Sequence, residues 1–234
     1  MVMNIADNIA KIRSDMALAA KKSGRALSEI KLMGVTKYHP VEMMTEAAPH
    51  LDLIGENKVQ EAVNKRAVWP VGMASCPWHM IGHLQRNKIR RALESFDLIE
   101  SIDSLETAVG INRVISEGGP RRFPVYIEVN MSREAAKSGV APEEAERLLE
   151  EMMTDCPLLS VEGLMTVALD TEDECVLREI FGGLRELREK LRCATGLPLP
   201  ELSMGMSGDF MTAIEEGSTI VRVGSAIFGP RNYG

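Results

Sequence analysis

The stretch Val125-Tyr126-Ile127-Glu128-Val129-Asn130 decides how this chain is read. In an extended strand Val125, Ile127 and Val129 fall on one face, and Tyr126, Glu128 and Asn130 on the other. A strand buried in a parallel sheet between two layers of helices is apolar on both faces. One apolar face and one polar face suit a strand whose inner side lines the lumen of a functional barrel. A sheet edge is the other arrangement that produces the same alternation.

On either side of this strand the chain keeps one rhythm: short apolar strands alternate with longer amphipathic stretches, as in βα units on a parallel sheet. The pattern predicts strands at Ile30–Val35, Asp52–Gly55, His79–His83, Leu98–Ser101, Val125–Asn130, Ser160–Val167, Glu201–Met206 and Thr219–Gly224. Helical stretches are predicted at Val41–Ala48, Lys58–Ala67, Lys88–Ser95, Leu105–Ser116, Pro142–Thr154, Glu174–Ala194 and Asp209–Glu216. An extra helix opens the chain over Asn4–Ser23, where Ile5, Ile9, Ile12 and Met16 recur at helical spacing. Pro142 stands where a first helical residue should. Eight such units predict an α/β fold, a single (β/α)8 TIM-type barrel, over residues 1–234. A doubly wound open sheet is the alternative.

In a barrel, function sits at the carboxyl ends of the strands. Those ends carry Thr36-Lys37-Tyr38-His39, Gly55-Glu56-Asn57, Gly82-His83-Leu84-Gln85, Ser101-Ile102-Asp103, Asn130-Met131-Ser132, Thr166, Ser203 to Asp209, and Gly224-Ser225. Lys37 is the candidate reactive residue. A lysine at a strand exit can be buried, titrate low and offer a neutral amine that forms a Schiff base with an aldehyde. An ordinary solvated lysine is the plainer reading. The loops after strands 7 and 8, Ser203-Met204-Gly205-Met206-Ser207-Gly208-Asp209 and Arg222-Val223-Gly224-Ser225-Ala226-Ile227-Phe228-Gly229, are a candidate phosphate site. Glycine lets the backbone approach, and Ser207 and Ser225 add hydroxyl donors. A pair of glycine turns without a ligand is the alternative. Arg222 shares a strand face with Ile220 and Gly224, and if Val221 and Val223 face the helix layer it points inward. Buried there, it needs an acceptor. A carboxylate such as Glu128 or the ring nitrogen of a cofactor would serve.

Composition narrows the function. The 234 residues hold 27 Lys+Arg and 34 Asp+Glu, a net charge of −7, which speaks against a general nucleic-acid or anionic-membrane binder. The basic clusters at Arg86–Arg91 and Arg121–Arg122 could still meet a small anion. Cys76, Cys156, Cys175 and Cys193 form no CxxC pair, and sparse unpaired cysteines suit a reducing compartment. No signal peptide is visible in Met1–Met16 and no window reads as a transmembrane helix. The expectation is therefore a cytoplasmic protein. Several motifs fail. Gly205-Met206-Ser207-Gly208 lacks the spacing of a nucleophile elbow. His79 and His83 lack the glutamate of HExxH and fall on a strand, so they read as core histidines and no metal is expected. There is no P-loop and no GxGxxG.

The segments Gly34-Val35-Thr36-Lys37, Gly55-Glu56-Asn57-Lys58-Val59-Gln60-Glu61, Trp78-His79-Met80-Ile81-Gly82-His83-Leu84-Gln85-Arg86-Asn87-Lys88, Gly163-Leu164-Met165-Thr166, Leu202-Ser203-Met204-Gly205-Met206-Ser207 and Val223-Gly224-Ser225-Ala226-Ile227-Phe228-Gly229 closely resemble the pyridoxal 5′-phosphate (PLP) homeostasis protein family. The match runs in order over nearly the whole chain. It implies one fold-type III barrel similar to the N-terminal domain of alanine racemase. It implies PLP held as an internal aldimine on Lys37, phosphate held by Ser207-Gly208 and Gly224-Ser225, Arg222 facing the pyridine nitrogen, and Asn57 and Met204 in the cofactor site. It implies a protein that buffers or delivers PLP in PLP and amino-acid homeostasis, with no established turnover.

A permanently charged arginine beside the pyridine nitrogen disfavours ring protonation. An unprotonated ring is a weak electron sink, which suits a carrier or at most a racemase-like proton transfer. A racemase of this type also takes a second base from an added C-terminal domain, whereas this sequence ends at Gly234, soon after the strand-8 loop. Tyr38 or Tyr126 could substitute. The alternatives are therefore a fold-type III PLP-dependent racemase or decarboxylase, and a Schiff-base aldolase using Lys37 without PLP. The expected partners are PLP and PLP-dependent apo-enzymes, with neither nucleic acid nor membrane. A monomer is the expected state.

Overall fold

The structure is a computed structural model that describes residues 4–73, 76–119, 121–134 and 136–229. Eight parallel strands close into a barrel in chain order. They are β1 (Lys31–Val35), β2 (Leu53–Glu56), β3 (Trp78–Met80), β4 (Leu98–Ile102), β5 (Phe123–Glu128), β6 (Leu159–Met165), β7 (Glu201–Ser203) and β8 (Ile220–Val223). The ring closes by pairing β1 with β8, Met33 opposite Arg222. The open-sheet alternative is thereby excluded.

The helices are α1 (Ile5–Lys22), α2 (Val41–Ala47), α3 (Val59–Ala67), α4 (Ile89–Ser95), α5 (Leu105–Glu117), α6 (Ala145–Asp155), α7 (Glu174–Thr195), α8 (Phe210–Glu215) and α9 (Ser225–Phe228). The helix after β8 is one turn long, and α1 fills the place this leaves in the ring. It packs on α2, α8 and α9 through the buried stripe Ile5, Ile9, Ile12 and Met16. Asn4 caps α1 by accepting the Asp7 N–H, and lysines 21 and 22 complement the carboxyl-end dipole. The long α7 opens on Asp173, whose carboxylate accepts the N–H groups of Cys175 and Val176, and ends on Gly196 at φ +74°. Pro142 starts a single 3-10 turn, Pro142–Glu144, and the α-helix proper begins at Ala145.

Two buried clusters divide the core. The larger one fills the space between wall and helices and takes Val125, Ile127 and Val129. The smaller one plugs the lumen with Met33, Leu53, Leu98, Tyr126, Met165 and Ile220. Strand β5 therefore presents its alternate faces as its sequence alternation requires, with Tyr126 and Glu128 inward.

The strand bounds differ from the sequence pattern by one to three residues, most clearly in β3, β7 and β5. β3 ends at Met80, and His83 lies outside it. A Cβ at Gly82 would stand 2.3 Å from the Asn57 carbonyl oxygen, so the chain turns away there with backbone against backbone. β7 ends at Ser203; Gly205 takes φ +95°, and its carbonyl still accepts from the Arg222 N–H of β8 at 2.9 Å. β5 starts two residues earlier than read, at Phe123, and ends at Glu128, leaving Asn130 in the following loop.

Candidate functional site

The carboxyl ends of the strands surround a cavity of about 1120 Å³. Lys37, Asn57, Ser207, Gly208, Arg222, Gly224 and Ser225 all line it. The sequence-predicted residues thus converge from β1, β2, β7 and β8. Met204 does not join them: it is fully buried, and its side chain packs in the core outside the wall. Two residues further on, Met206 lines the cavity instead. An adjoining hollow of about 550 Å³ shares Lys37 and Asn57 and reaches the start of α3.

Arg222 stands on the inner face of β8, 3% exposed. Its Nη1 donates to the Ser203 carbonyl at 2.6 Å and the Ser203 hydroxyl at 2.8 Å; its Nη2 donates to the Thr166 carbonyl at 2.7 Å. The acceptors are neutral, so the guanidinium charge is tethered without being cancelled by contact. Glu128, the carboxylate considered as its partner, acts on it only through space, as do Glu100 and Asp209. Burial is the main force on Arg222 and lowers its pKa, while those three acids oppose the shift.

Beneath Arg222 lies a closed polar chain. The Ser203 hydroxyl donates to Glu100 Oε2 at 2.5 Å, and Glu100 Oε1 lies 2.7 Å from His79 Nδ1. His79 is therefore a buried lumen residue bonded to a carboxylate. His83 is largely exposed, with Nδ1 3.4 Å from Asp103. Glu128, 8% exposed, is pushed up to about 7, first by burial, then by the charge of Asp103, against the pull of Arg222 and with a push from Glu100. Tyr126 faces the lumen but sits in the apolar plug, where burial raises its phenol far above its usual range.

The two glycine loops meet. The Ala226 N–H donates to Ser207 Oγ at 3.4 Å, and the Met206 N–H donates to the Asp209 carboxylate. Among the described residues the N–H groups of Ser207 and Gly208 find no acceptor. A Cβ built on Gly208 would meet no atom within 4 Å, so bare backbone borders the cavity there. Asn57 Oδ1 is buried without a hydrogen-bond partner. The buried, unpaired Asn57 oxygen calls for a polar partner in the cavity, and the open N–H groups of Ser207 and Gly208 offer donors across it.

Sequence reasoning missed the loop after β6. Val167, Ala168, Leu169 and Asp170 line the cavity, as does Lys137, whose Nζ donates to the Ala168 carbonyl at 2.9 Å and lies 2.5 Å from Glu134. Lys137 comes from the connection between β5 and α6, and no local pattern in that loop marks it as a lining residue.

A closed eight-stranded barrel with a lysine at the exit of β1 and two glycine loops after β7 and β8 defines the class. Residues 4–232 match the family described as alanine racemase, N-terminal domain. The alanine racemase of Clostridium difficile has the same fold at 17% identity, with a TM-score of 0.76 over 96% of this chain and 57% of that one. The particular family follows from nearer relatives. The pyridoxal phosphate homeostasis protein of Vibrio cholerae is 40% identical over 237 residues, covering 98% of both chains. The structure of PipY from Synechococcus elongatus with PLP bound is 31% identical, with a TM-score of 0.83, over 97% of this chain and 100% of that one. This chain belongs to the pyridoxal phosphate homeostasis protein family. Among the described residues no helix is long and apolar enough to cross a membrane, and no cluster of His, Cys, Asp and Glu could hold a metal ion.

Proposed function

We propose that this chain binds PLP through a Schiff base on Lys37 and buffers or delivers it inside the cytoplasm, as a single barrel domain, without turnover of its own. The observation that carries this reading is the convergence of Lys37, Arg222 and the bare backbone of two glycine loops on one cavity. The PLP reported in the PipY structure, on a chain 31% identical to this one, supports it.

The residues present fit the group. PLP supplies an aldehyde that condenses with an amine, a ring nitrogen and a phosphate. Lys37 provides the amine. The free N–H groups of Ser207 and Gly208, with Gly224 and the Ser225 hydroxyl, form a cradle for a phosphate. Arg222, held by neutral carbonyls, keeps its charge for the ring nitrogen and disfavours a proton there. Asn57 brings an acceptor that lacks a partner. Met204 contributes from behind the wall, by packing rather than contact.

Of the two tyrosines considered as a second base, Tyr126 is disfavoured, whereas Tyr38 stands exposed beside Lys37 in the adjoining hollow. The Tyr126 phenol, deep in the plug and pushed up by burial, is a poor base for a Cα proton. Recipient apo-enzymes and a monomeric state belong to the same proposal.

The test is a near-ultraviolet and visible spectrum before and after addition of PLP, then borohydride and peptide mapping. A visible absorbance band, fixed by reduction onto the peptide containing Lys37, is expected. Lys37→Ala should lose it. A mutant that keeps the full band, or an adduct found at another lysine such as Lys137, sinks the assignment.

A further inference from the structure

Lys37 is carried by a turn that is gripped from outside the barrel. On its amino side Thr36 is fully buried. The Thr36 carbonyl accepts from Lys65 Nζ at 2.8 Å, and the Thr36 hydroxyl donates to Glu56 Oε1 at 2.6 Å. On its carboxyl side the Tyr38 N–H donates to Glu61 Oε1 at 2.6 Å. Lys65 Nζ joins the two grips, 2.6 Å from Glu56 Oε1 and 2.7 Å from Glu61 Oε1. Glu56 lies at the end of β2, whereas Glu61 and Lys65 stand one turn apart on α3. Neither Glu56 nor Lys65 lines the cavity. The network holds both peptide units that flank the candidate amine.

The turn between these grips is under strain. Tyr38 adopts φ +65°, a left-handed conformation that is an outlier for a bulky residue, and the His39 N–H closes the turn onto the Thr36 carbonyl at 3.0 Å. Such conformations persist only where the surroundings over-determine them. Lysine has a four-carbon stem, so a small rotation of its backbone frame moves its amine by ångströms. A frame fixed on both sides leaves less freedom to lose on binding.

We propose that Glu61 and Lys65 are positioning residues that fix where Lys37 stands, by holding Tyr38 and Thr36 on either side of it. This deepens the reading of Lys37 as the covalent attachment point and rests on it.

Glu61→Ala in the full chain tests it, with Glu61→Gln as the conservative partner. Glutamine keeps an oxygen for the Tyr38 N–H. Hydrogen exchange at the Tyr38 amide, measured without cofactor, reads the grip itself. PLP affinity, circular dichroism of the bound cofactor band and the borohydride-trapped fraction at Lys37 read its consequence. In Glu61→Ala the Tyr38 amide should exchange faster, the dichroic band should change and affinity should fall up to about tenfold, because the loosened turn must be ordered again on binding. Glu61→Gln should stay within about threefold of the parent. Lys65→Met should act in the same direction, and the alanine variant stands alone if that protein fails to fold. Faster Tyr38 exchange with parent affinity and parent dichroism would overturn the proposal, as would a lowered melting temperature with binding intact. If the parent chain traps no adduct at Lys37 while Tyr38 exchange still responds, the attachment reading falls first and takes this one with it.

Discussion

Two buried cations sit on opposite sides of the barrel wall and are treated in opposite ways. Lys65, outside the wall, is met by two carboxylates and a carbonyl within 2.8 Å. Its charge is cancelled by contact, so it serves structure. Arg222, inside the wall, is met by two carbonyls and a hydroxyl. Its nearest acids act only across space, so its field still reaches the cavity. The choice of acceptor separates a cation neutralised by contact from one whose charge stays open to the cavity.

Lys65→Met is the strongest way to break this contrast. It strands Glu56, whose Oε2 already lacks a partner and whose pKa burial already raises. Breaking a buried pair from one side costs about 3–5 kcal/mol, read as a lower urea midpoint. A midpoint equal to the parent's would mean that Lys65 braces nothing.

The next effect is one of pH. Glu128 is about 7 in the folded chain against an ordinary 4.5. A raised carboxyl favours folding while protonated, and that contribution is lost as pH rises through about 7. The apo protein should therefore lose stability between pH 5 and pH 8, by an amount on the order of 3 kcal/mol for this group alone. Glu128→Gln should flatten that slope in paired denaturation curves. Equal slopes for the two proteins would refute the assignment.

The smallest change in stability, and the sharpest test of the contrast, is Arg222→Gln. Its carbonyl partners lose a donor at a cost of about 1–2 kcal/mol. PLP affinity should fall about tenfold or more, measured by fluorescence titration. A large stability loss with unchanged affinity would place Arg222 beside Lys65, as a brace.

Much of this was legible beforehand because alternation and strand-end chemistry are local signals. Val125–Asn130 revealed both its faces, and Lys37, Arg222 and the two glycine loops announced themselves by position. What escaped depended on distant atoms. The end of β3 is set by the Asn57 carbonyl against Gly82, which no residue near His79–His83 encodes. The resemblance implies Met204 in the site, yet its side chain packs behind the wall and Met206 lines the cavity instead. Lys65 lies in an ordinary amphipathic helix, where a lysine reads as solvated. The one available hint was Glu56, an acid on the same outward face of β2 as the buried Ile54. An acid on that face needs a cation from the helix above it.

Arg222 also works as a stitch. Strands β7 and β8 share a single registered pair, Ser203 with Ile220. The guanidinium of Arg222, rooted in β8, spans this seam to Ser203 on β7 and on to Thr166 just beyond β6. Backbone bonds from Thr219 to Leu202, Met204 to Ile220 and Arg222 to Gly205 hold the same seam, so the side chain adds to a closure that the main chain already makes. Retention of an arginine here would therefore testify partly to the architecture as well as to a ligand. Lys37 lines the same cavity from the exit of β1, and the borohydride experiment, rather than its retention, is what would record its chemistry.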